Sequence, residues 1–457
     1  MTTDSDPTGS DPADLERAAP VKAQKSRILL GLGLVALLVT AVGVGISLRS
    51  SAMSSGGAAT AEEAVNELMD AIGNEDAIAL AELLLPSERA TMIEPLFDMV
   101  SELQRLEVLD REMKMSAIPG VDFEFADLTY EIEPIREDMS HVTLTGGIAT
   151  STLTLRDAPL GRLVLDRLPA GTLDVEPDSS TQSINGDGFG IVVVERDGRW
   201  FISVWYTAAE AARIDARLPL PDLSRRINAR GAESAETAVE EMMRSALDFD
   251  IRRMLELLPP GEAEALHDYA PLFIDDVEAA AKEARSGLVG SGLEIDLTRI
   301  DLSSTENRGG RTVSVHGGAI SVTSPDVSGS LDISADGAFG DFTFDGTRIE
   351  ASFVDGCVEF SNARDGEVAE SETFCEEELG DMLDEQLRQD GLGLPDLDIF
   401  SERPEIGIKT VEVDGRWYLS PLGTMNDMQI EILAAIDQEK LEVLIDWIID
   451  ASETVSF

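Results

Sequence analysis

The sequence predicts an α+β protein: a single N-terminal transmembrane helix, then two copies of one unit whose helices pack on a curved antiparallel sheet. Three observations predict it. Residues 28–48 form an uncharged apolar run. Two long stretches of the remaining chain match each other in order. Within each stretch, apolar residues recur first at helical spacing and then at alternate positions.

The apolar run, ILLGLGLVALLVTAVGVGISL, spans about 31 Å as a helix, close to the thickness of a bilayer core. Arg17, Lys22, Lys25 and Arg27 precede it, and after Arg49 no basic residue follows until Arg89. The positive-inside rule therefore predicts a plasma-membrane protein with a cytoplasmic N-terminus and the bulk of the chain outside. A cleaved signal peptide is the alternative, but its apolar region is normally about 7–15 residues behind a short leader. Residues 1–27, rich in Pro, Asp, Ser and Thr, read as a disordered tail, and residues 49–59 as a linker.

Copy one is assigned to residues 60–218 and copy two to 233–424, with a linker at 219–232. At an offset of 174, Ala61-Glu62-Glu63-Ala64-Val65 matches Ala235-Glu236-Thr237-Ala238-Val239, Pro86 matches Pro260 and Glu88 matches Glu262. Pro95-Leu96-Phe97 matches Pro271-Leu272-Phe273. Val142–Gly147 matches Val313–Gly318 at 171, and Asp197–Ser203 matches Asp414–Ser420 at 217. The step from 171 to 217 gives copy two an insertion of 46 residues, within about residues 330–400.

Each copy opens with helices. Ala61, Ala64, Val65, Leu68 and Ile72 share a helix face, with Thr60 and Glu63 placed as a cap. Asn74-Glu75-Asp76 reads as a turn, Ala77–Leu84 as a short helix stopped by Pro86, and Met92–Leu103 as a third helix. Copy two repeats the order through Val239, Met254 and Leu257, with its third helix carrying Leu266, Leu272, Phe273 and Val277. Strand-like alternation then runs from Val121 to Ile135, through Val142 and Leu144, to Leu153 and Leu155. Ile191–Val194 and Trp200–Val204 flank Asp197-Gly198, a strong hairpin signal.

The opening AVNELMDAIGNEDAIALAELL and the closing hairpins VVVERDGRWFIS and TVEVDGRWYLS resemble the NTF2-like (cystatin-like cone) superfamily. The resemblance covers most of residues 60–216 and 233–424 and rests on fold-level patterns. Behind a membrane helix, the tandem is similar in architecture to VirB8/TcpC-like and Mce-associated envelope proteins. It implies helices on a conical sheet, and a family that includes enzymes, ligand binders and scaffolds; fold alone does not choose among them.

Cys357 and Cys375 lie in the insertion and are expected to form a disulfide outside the membrane, worth about 3 kcal/mol in the chain-entropy model. The following EEELGDMLDEQLRQ reads as an acidic helix with Leu379, Met382, Leu383 and Leu387 facing inward. Its acids suit a solvated helix N-terminus better than a cation site. No EF-hand loop is present, and Asn185–Gly188 is a Gly-rich turn. Residues 425–457 read as a C-terminal amphipathic helix, expected to pack on the core.

Chemistry is sparse. His141, His267 and His316 are isolated in sequence, and no catalytic, nucleotide or metal motif appears. No cofactor is implied. His316 is the best acid–base candidate; Trp200, Trp417 and Tyr418, at equivalent strand positions, are candidates to line a ligand pocket or, more simply, to pack helices on the sheets. The 88 acidic and 35 basic residues give a net charge of −53, which disfavours nucleic acid as a partner. Six Lys against 29 Arg suit either a halotolerant surface or a GC-rich genome. The expected role is non-enzymatic interaction or scaffolding with other envelope proteins; the alternative is a binder of a small apolar or lipid-like ligand.

Overall fold

The computed structural model describes residues 56–168, 170–184, 190–334, 337–344, 347–354, 357–364, 367–375 and 407–454. The predicted anchor at 28–48, the turn at 185–188 and the acidic helix after Cys375 lie outside the described residues. Among the described residues no helix is long and apolar enough to cross a membrane.

Copy one opens with α1 (Ala61–Gly73), α2 (Ala77–Leu83) and α3 (Glu94–Arg105). Thr60 caps α1 by accepting from the Glu63 amide at 3.1 Å, while the Glu63 carboxylate accepts from Ala59 N at 2.9 Å. Asp76 caps α2 through the Ile78 and Ala79 amides. Pro86 does not merely stop α2: it opens a short helical turn, Pro86–Glu88, that leads through a wide turn at Arg89–Ile93 into α3. Pro suits that first position because its missing N–H has no helical partner to lose.

The sheet of copy one comprises β1 (Val121–Arg136), β2 (Met139–Leu153), β3 (Asp178–Ile184), β4 (Gly190–Arg196) and β5 (Arg199–Ser203), all antiparallel. Its order is β1-β2-β4-β5, with β3 also on β2. A register shift between Ala126 and Thr129 bends the long β1–β2 pair. Leu155, expected in a strand, lies in a 3-10 turn (Leu155–Asp157) because β2 ends at Leu153.

All of Ile191, Val192, Val193 and Val194 are buried. Ile191 and Val193 pack with Val65 and Met69 of α1. Val192 and Val194 point the other way, into a cluster with Tyr206, Ala265 and Tyr269. The sheet is therefore covered on both faces, not one, and a continuous apolar run is what such a strand requires. The second cover is α4 (Val204–Asp215), which follows β5, together with a helix of copy two.

Copy two contains α5 (Ala235–Asp248), α6 (Ile251–Glu256), α7 (Glu264–Tyr269) and α8 (Ile274–Gly290). The third helix expected there is divided at a 3-10 turn, Ala270–Leu272, which contains Pro271. Strands β6 (Glu294–Asn307) and β7 (Gly310–Thr323) follow, then β8 (Val327–Ser334), β9 (Gly337–Phe344), β10 (Thr347–Val354), β11 (Cys357–Arg364) and β12 (Glu367–Cys375). The closing hairpin is β13 (Ile408–Val413) and β14 (Arg416–Leu419). The sheet order is β12-β11-β10-β9-β8-β7-β13-β14, with β6 on β7. The insertion is thus a meander grown outward from β8, and a disulfide joins Cys357 to Cys375 where they face each other across β11 and β12.

The C-terminal segment is two helices, α9 (Pro421–Ala435) and α10 (Gln438–Thr454), not one. Ile436 is extended, and Asp437 then accepts from the Glu439 and Lys440 amides to start the second helix. The copies hold each other reciprocally. α4, after the hairpin of copy one, lies on α7 of copy two; α9, after the hairpin of copy two, lies on α3 of copy one. Arg105 of α3 donates to the α9 terminal carbonyl of Leu433 at 2.8 Å, and Asn426 donates to Thr91 O at 2.8 Å.

One device recurs in both copies. Glu88, 2% exposed, accepts from Ser203 Oγ and from the Val204 and Trp205 amides at the start of α4. Glu262 accepts from Ser420 Oγ and the Leu422 amide at the start of α9. Burial holds both carboxyls above the ordinary carboxylate range, against the pull of these donors. Removing the acceptor strands buried donors, so Glu88→Ala should lower the unfolding free energy by about 1–3 kcal/mol in urea titration, and Glu262→Ala similarly. Losses below about 0.5 kcal/mol at both positions would disprove the structural role.

Candidate functional site

The residues singled out from sequence are placed apart. Trp200 of β5 and Trp417 of β14 are half-buried and pack on the clusters beneath α1 and α5. Trp200 pairs by backbone with Ala58, and Trp417 with Ala232. These two alanines, assigned from sequence to linkers, belong to the folded copies and keep the 174-residue offset. Each follows a glycine that an aromatic ring approaches closely: a Cβ on Gly57 would meet the Phe201 ring at 2.6 Å, and one on Gly231 the Tyr418 ring at 2.9 Å. Tyr418 is buried, and the Arg311 guanidinium lies 5.9 Å from the Trp417 ring centre.

Each histidine has separate partners. Exposed His316 shares a hydrogen bond with Ser303 through Nε2. His141 lies 3.4 Å from Thr143 Oγ1 through Nδ1. His267 is fully buried with Nε2 2.8 Å from Leu255 O, a contact in which the ring is the donor. Among the described residues no group of three His, Cys, Asp or Glu is placed to hold a metal ion.

Copy one carries two open cavities. One, of about 610 Å³, is lined by Glu67, Asp70, Asp76 and Glu82 with Arg199 as its cation. The second, of about 490 Å³, runs between α1 and β1 and is lined by Met69, Phe125 and Leu128. Both share Asp70 and Asn74, and neither includes Trp200, Trp417, Tyr418 or any histidine. Arg199 already donates to the Gly56 and Gly57 carbonyls, and Asp76 is occupied as a cap. The first is an acid-lined surface groove, and the second carries Asp70 as its one acidic residue.

The densest chemistry lies between the copies. Asp268 of α7 is 1% exposed. It accepts from Tyr206 Oη at 2.8 Å and Arg136 Nη1 at 2.7 Å, and Arg226 Nη1 stands 3.3 Å from its other oxygen. That last contact is an ion pair without hydrogen-bond alignment. Arg136 also binds Asp138 at 2.6 Å, and Arg196 bridges Asp138 and Glu264 at 3.1 and 2.8 Å. Next to them, buried Glu210 accepts from Arg213 at 2.6 Å and from Tyr269 Oη at 2.7 Å.

Four guanidinium groups face four carboxylates, so the cluster is electrically balanced inside a chain of charge −53. Burial raises the phenol pKa of Tyr206, reinforced by the Glu264 and Asp268 charges, and raises that of Tyr269, reinforced by Glu210. Both therefore remain proton donors. Burial alone lifts Glu210, but Arg213 and Tyr269 bring it below the usual range. The phenol protons of Tyr206 and Tyr269 are committed to Asp268 and Glu210. The cluster's chemistry is attachment: it joins β1, β4 and α4 of copy one to α7 of copy two.

Sequence reading missed Asp268, Glu210 and Lys409. Lys409 is buried and donates from Nζ to Asp427 and Arg308 O, both at 2.9 Å. The available signal was the offset itself: at 217, Lys409 replaces Val192 and Asp427 matches Glu210. Comparison with known proteins finds no family model, curated protein or solved structure that matches the chain. The fold is accordingly two α+β regions, each with an antiparallel sheet and helices.

Asp268→Asn leaves Arg136 and Arg226 without their buried counter-charge and should cost about 3 kcal/mol in chemical denaturation; a loss no larger than that of an exposed Asp→Asn would refute the seam's role. Burial lowers the His267 pKa from 6.5, with the Leu255 hydrogen bond opposing. Unfolded chains therefore take up this proton first, and its stabilising contribution is full above pH 6.5 and is lost as pH falls from there through the lower folded value. His267→Gln retains a donor for Leu255 O but takes up no proton. Its melting temperature should fall less than wild type between about pH 7 and about pH 5.5, and an equal fall would clear His267.

Proposed function

We propose that the protein is a membrane-anchored extracytoplasmic scaffold, with two NTF2-like copies presented beyond the plasma membrane by a helix at residues 28–48. The role is non-enzymatic: it positions other envelope proteins. One observation carries the reading. Side chains pack the cores beneath α1 and α5, Val65, Met69, Val142 and Val193 in one copy and Val239, Leu257, Val313 and Leu419 in the other, and the two cavities of copy one open at the surface beside that core. Packed cores and a charge-balanced seam suit a stiff two-part platform, whereas a conical enzyme or carrier needs a pocket on which reactive or ligand-binding groups converge. The acidic exterior keeps such a platform soluble and favours partners that present basic surface.

Mild crosslinking in native membranes, affinity purification and mass spectrometry test the reading. A reproducible set of envelope proteins captured by the wild-type chain is the expected result. A stoichiometric lipid or metabolite with no protein partner would overturn it and make the protein a carrier. N-terminal labelling that succeeds only after the inner face is opened would support the cytoplasmic tail; labelling from outside would reverse the orientation.

A further inference from the structure

In copy two an amine, a carboxylate and a carboxamide meet where β6, β13 and α9 come together. Lys409 of β13 is buried, and its Nζ donates to Asp427 Oδ2 of α9 and to the Arg308 carbonyl, both at 2.9 Å. Asn307, the last residue of β6, donates from Nδ2 to the same Asp427 oxygen at 3.1 Å and to Thr312 Oγ1. One carboxylate oxygen therefore bridges the two nitrogens, which are at most about 6 Å apart, the sum of its two bonds. Strand register builds the cluster. Lys409 faces Thr312 across β13 and β7, and Asn307 faces Gly310 at the β6–β7 turn, so the Asn307 side chain reaches over β7 toward β13. Asn307 Oδ1 is buried with no hydrogen-bond partner among the described residues. An amide kept for packing has both of its ends satisfied. Here the nitrogen is held and the carbonyl is left over.

We propose that Lys409 and Asn307 join in an intramolecular isopeptide bond, with Asp427 moving the protons. Asp427 takes a proton from the Lys409 ammonium and frees its electron pair to attack Asn307 Cγ. The Nζ–Cγ bond forms as the carbonyl pair moves onto Oδ1. Asp427 passes its proton to Nδ2 and takes a second one from Nζ. The Cγ–Nδ2 bond breaks as the carbonyl reforms, and Nδ2 leaves as ammonia, which collects the last proton from Asp427. An ammonium and a carboxamide thus become a secondary amide and an ammonium ion, with Asp427 restored. Asp427 itself is the poorer electrophile, because its carboxylate charge opposes attack and its bonded neighbours include no acid to neutralise it. Residue choice agrees. Only six of the 35 basic residues are Lys, and Arg would serve a plain ion pair with Asp427, but a guanidinium does not give up its proton to become a nucleophile. Copy one lacks the chemistry: at the offsets of 171 and 217, Arg136, Val192 and Glu210 stand where copy two has Asn307, Lys409 and Asp427. The bond ties residues 102 apart and closes a loop that contains the whole meander.

Tryptic peptide mapping of the purified full chain by mass spectrometry tests the proposal. The expected product is a branched peptide joining Asn307 to Lys409, about 17 Da lighter than its two parts through loss of ammonia, with cleavage after Lys409 blocked. Lys409→Arg and Asp427→Ala should each return the two linear peptides. Wild-type chain that gives only the linear peptides, cut after Lys409, would overturn the proposal, whether or not the variants fold. A branched peptide about 18 Da lighter would overturn it too, because loss of water makes Asp427 the electrophile. A bond to Asn307 that persists in Asp427→Ala would overturn the part given to Asp427.

Discussion

A single buried carboxylate, Asp268, is the point on which the two-copy structure turns. It gathers Tyr206 and Arg136 from copy one and Arg226 from the connecting segment onto a helix of copy two. A carboxylate in that position is tolerable only with cations beside it, and the cations are tolerable only with it. The position of α4 follows, and with it the burial of Val192 and Val194. The second face of the first sheet is therefore covered by α4 of copy one and α7 of copy two together.

The copies share their means of construction and differ where they meet each other. Both close their hairpin on a Gly-Ala pair and start the next helix with a serine backed by a glutamate, buried at 88 and half-buried at 262. These requirements are internal to each copy, so both retain them. The meeting surfaces have diverged. Where copy one packs Val192 against Tyr206 and Tyr269, copy two places Lys409 against Asp427. Where Arg136 reaches Asp268, copy two reaches across with Arg308 to Asp98 at 3.1 Å. The reciprocal pattern is that of a symmetric dimer, but the two halves of it are chemically distinct.

Much of this was legible in the residues. The first helix start was readable from Thr60 because caps act over three or four residues, and the Asp-Gly hairpin of copy one was readable for the same reason. The repeat offsets already paired Glu88 with Glu262 and Ser203 with Ser420; that glutamate and serine meet is a long-range fact no local pattern carries. The meander was missed although Asp-Gly recurs at 336, 345, 355 and 365, between successive strands. Its strands mix Gly, Ser, Asp and Phe, which dilutes the alternation. The aromatic candidates at Trp200 and Trp417 were placed correctly on strands, but periodicity does not say whether a ring faces a void or a helix. The seam was invisible because its partners are scattered over more than a hundred residues.

The seating of α9 on α3 also sets a timetable. Arg105 and Leu433, which meet there, are 328 residues apart. At about 5–20 residues per second, a ribosome needs roughly 16–66 s to supply the second after the first. Throughout that interval α3 lacks its α9 cover, and until α7 emerges the outer face of the first sheet has only α4 over it. The first half of the protein cannot be finished while it is the only half in existence. Its newborn chain must be kept from sticking to its neighbours until α9 arrives, so a chain cut short before α9 forfeits part of the first copy as well as the second.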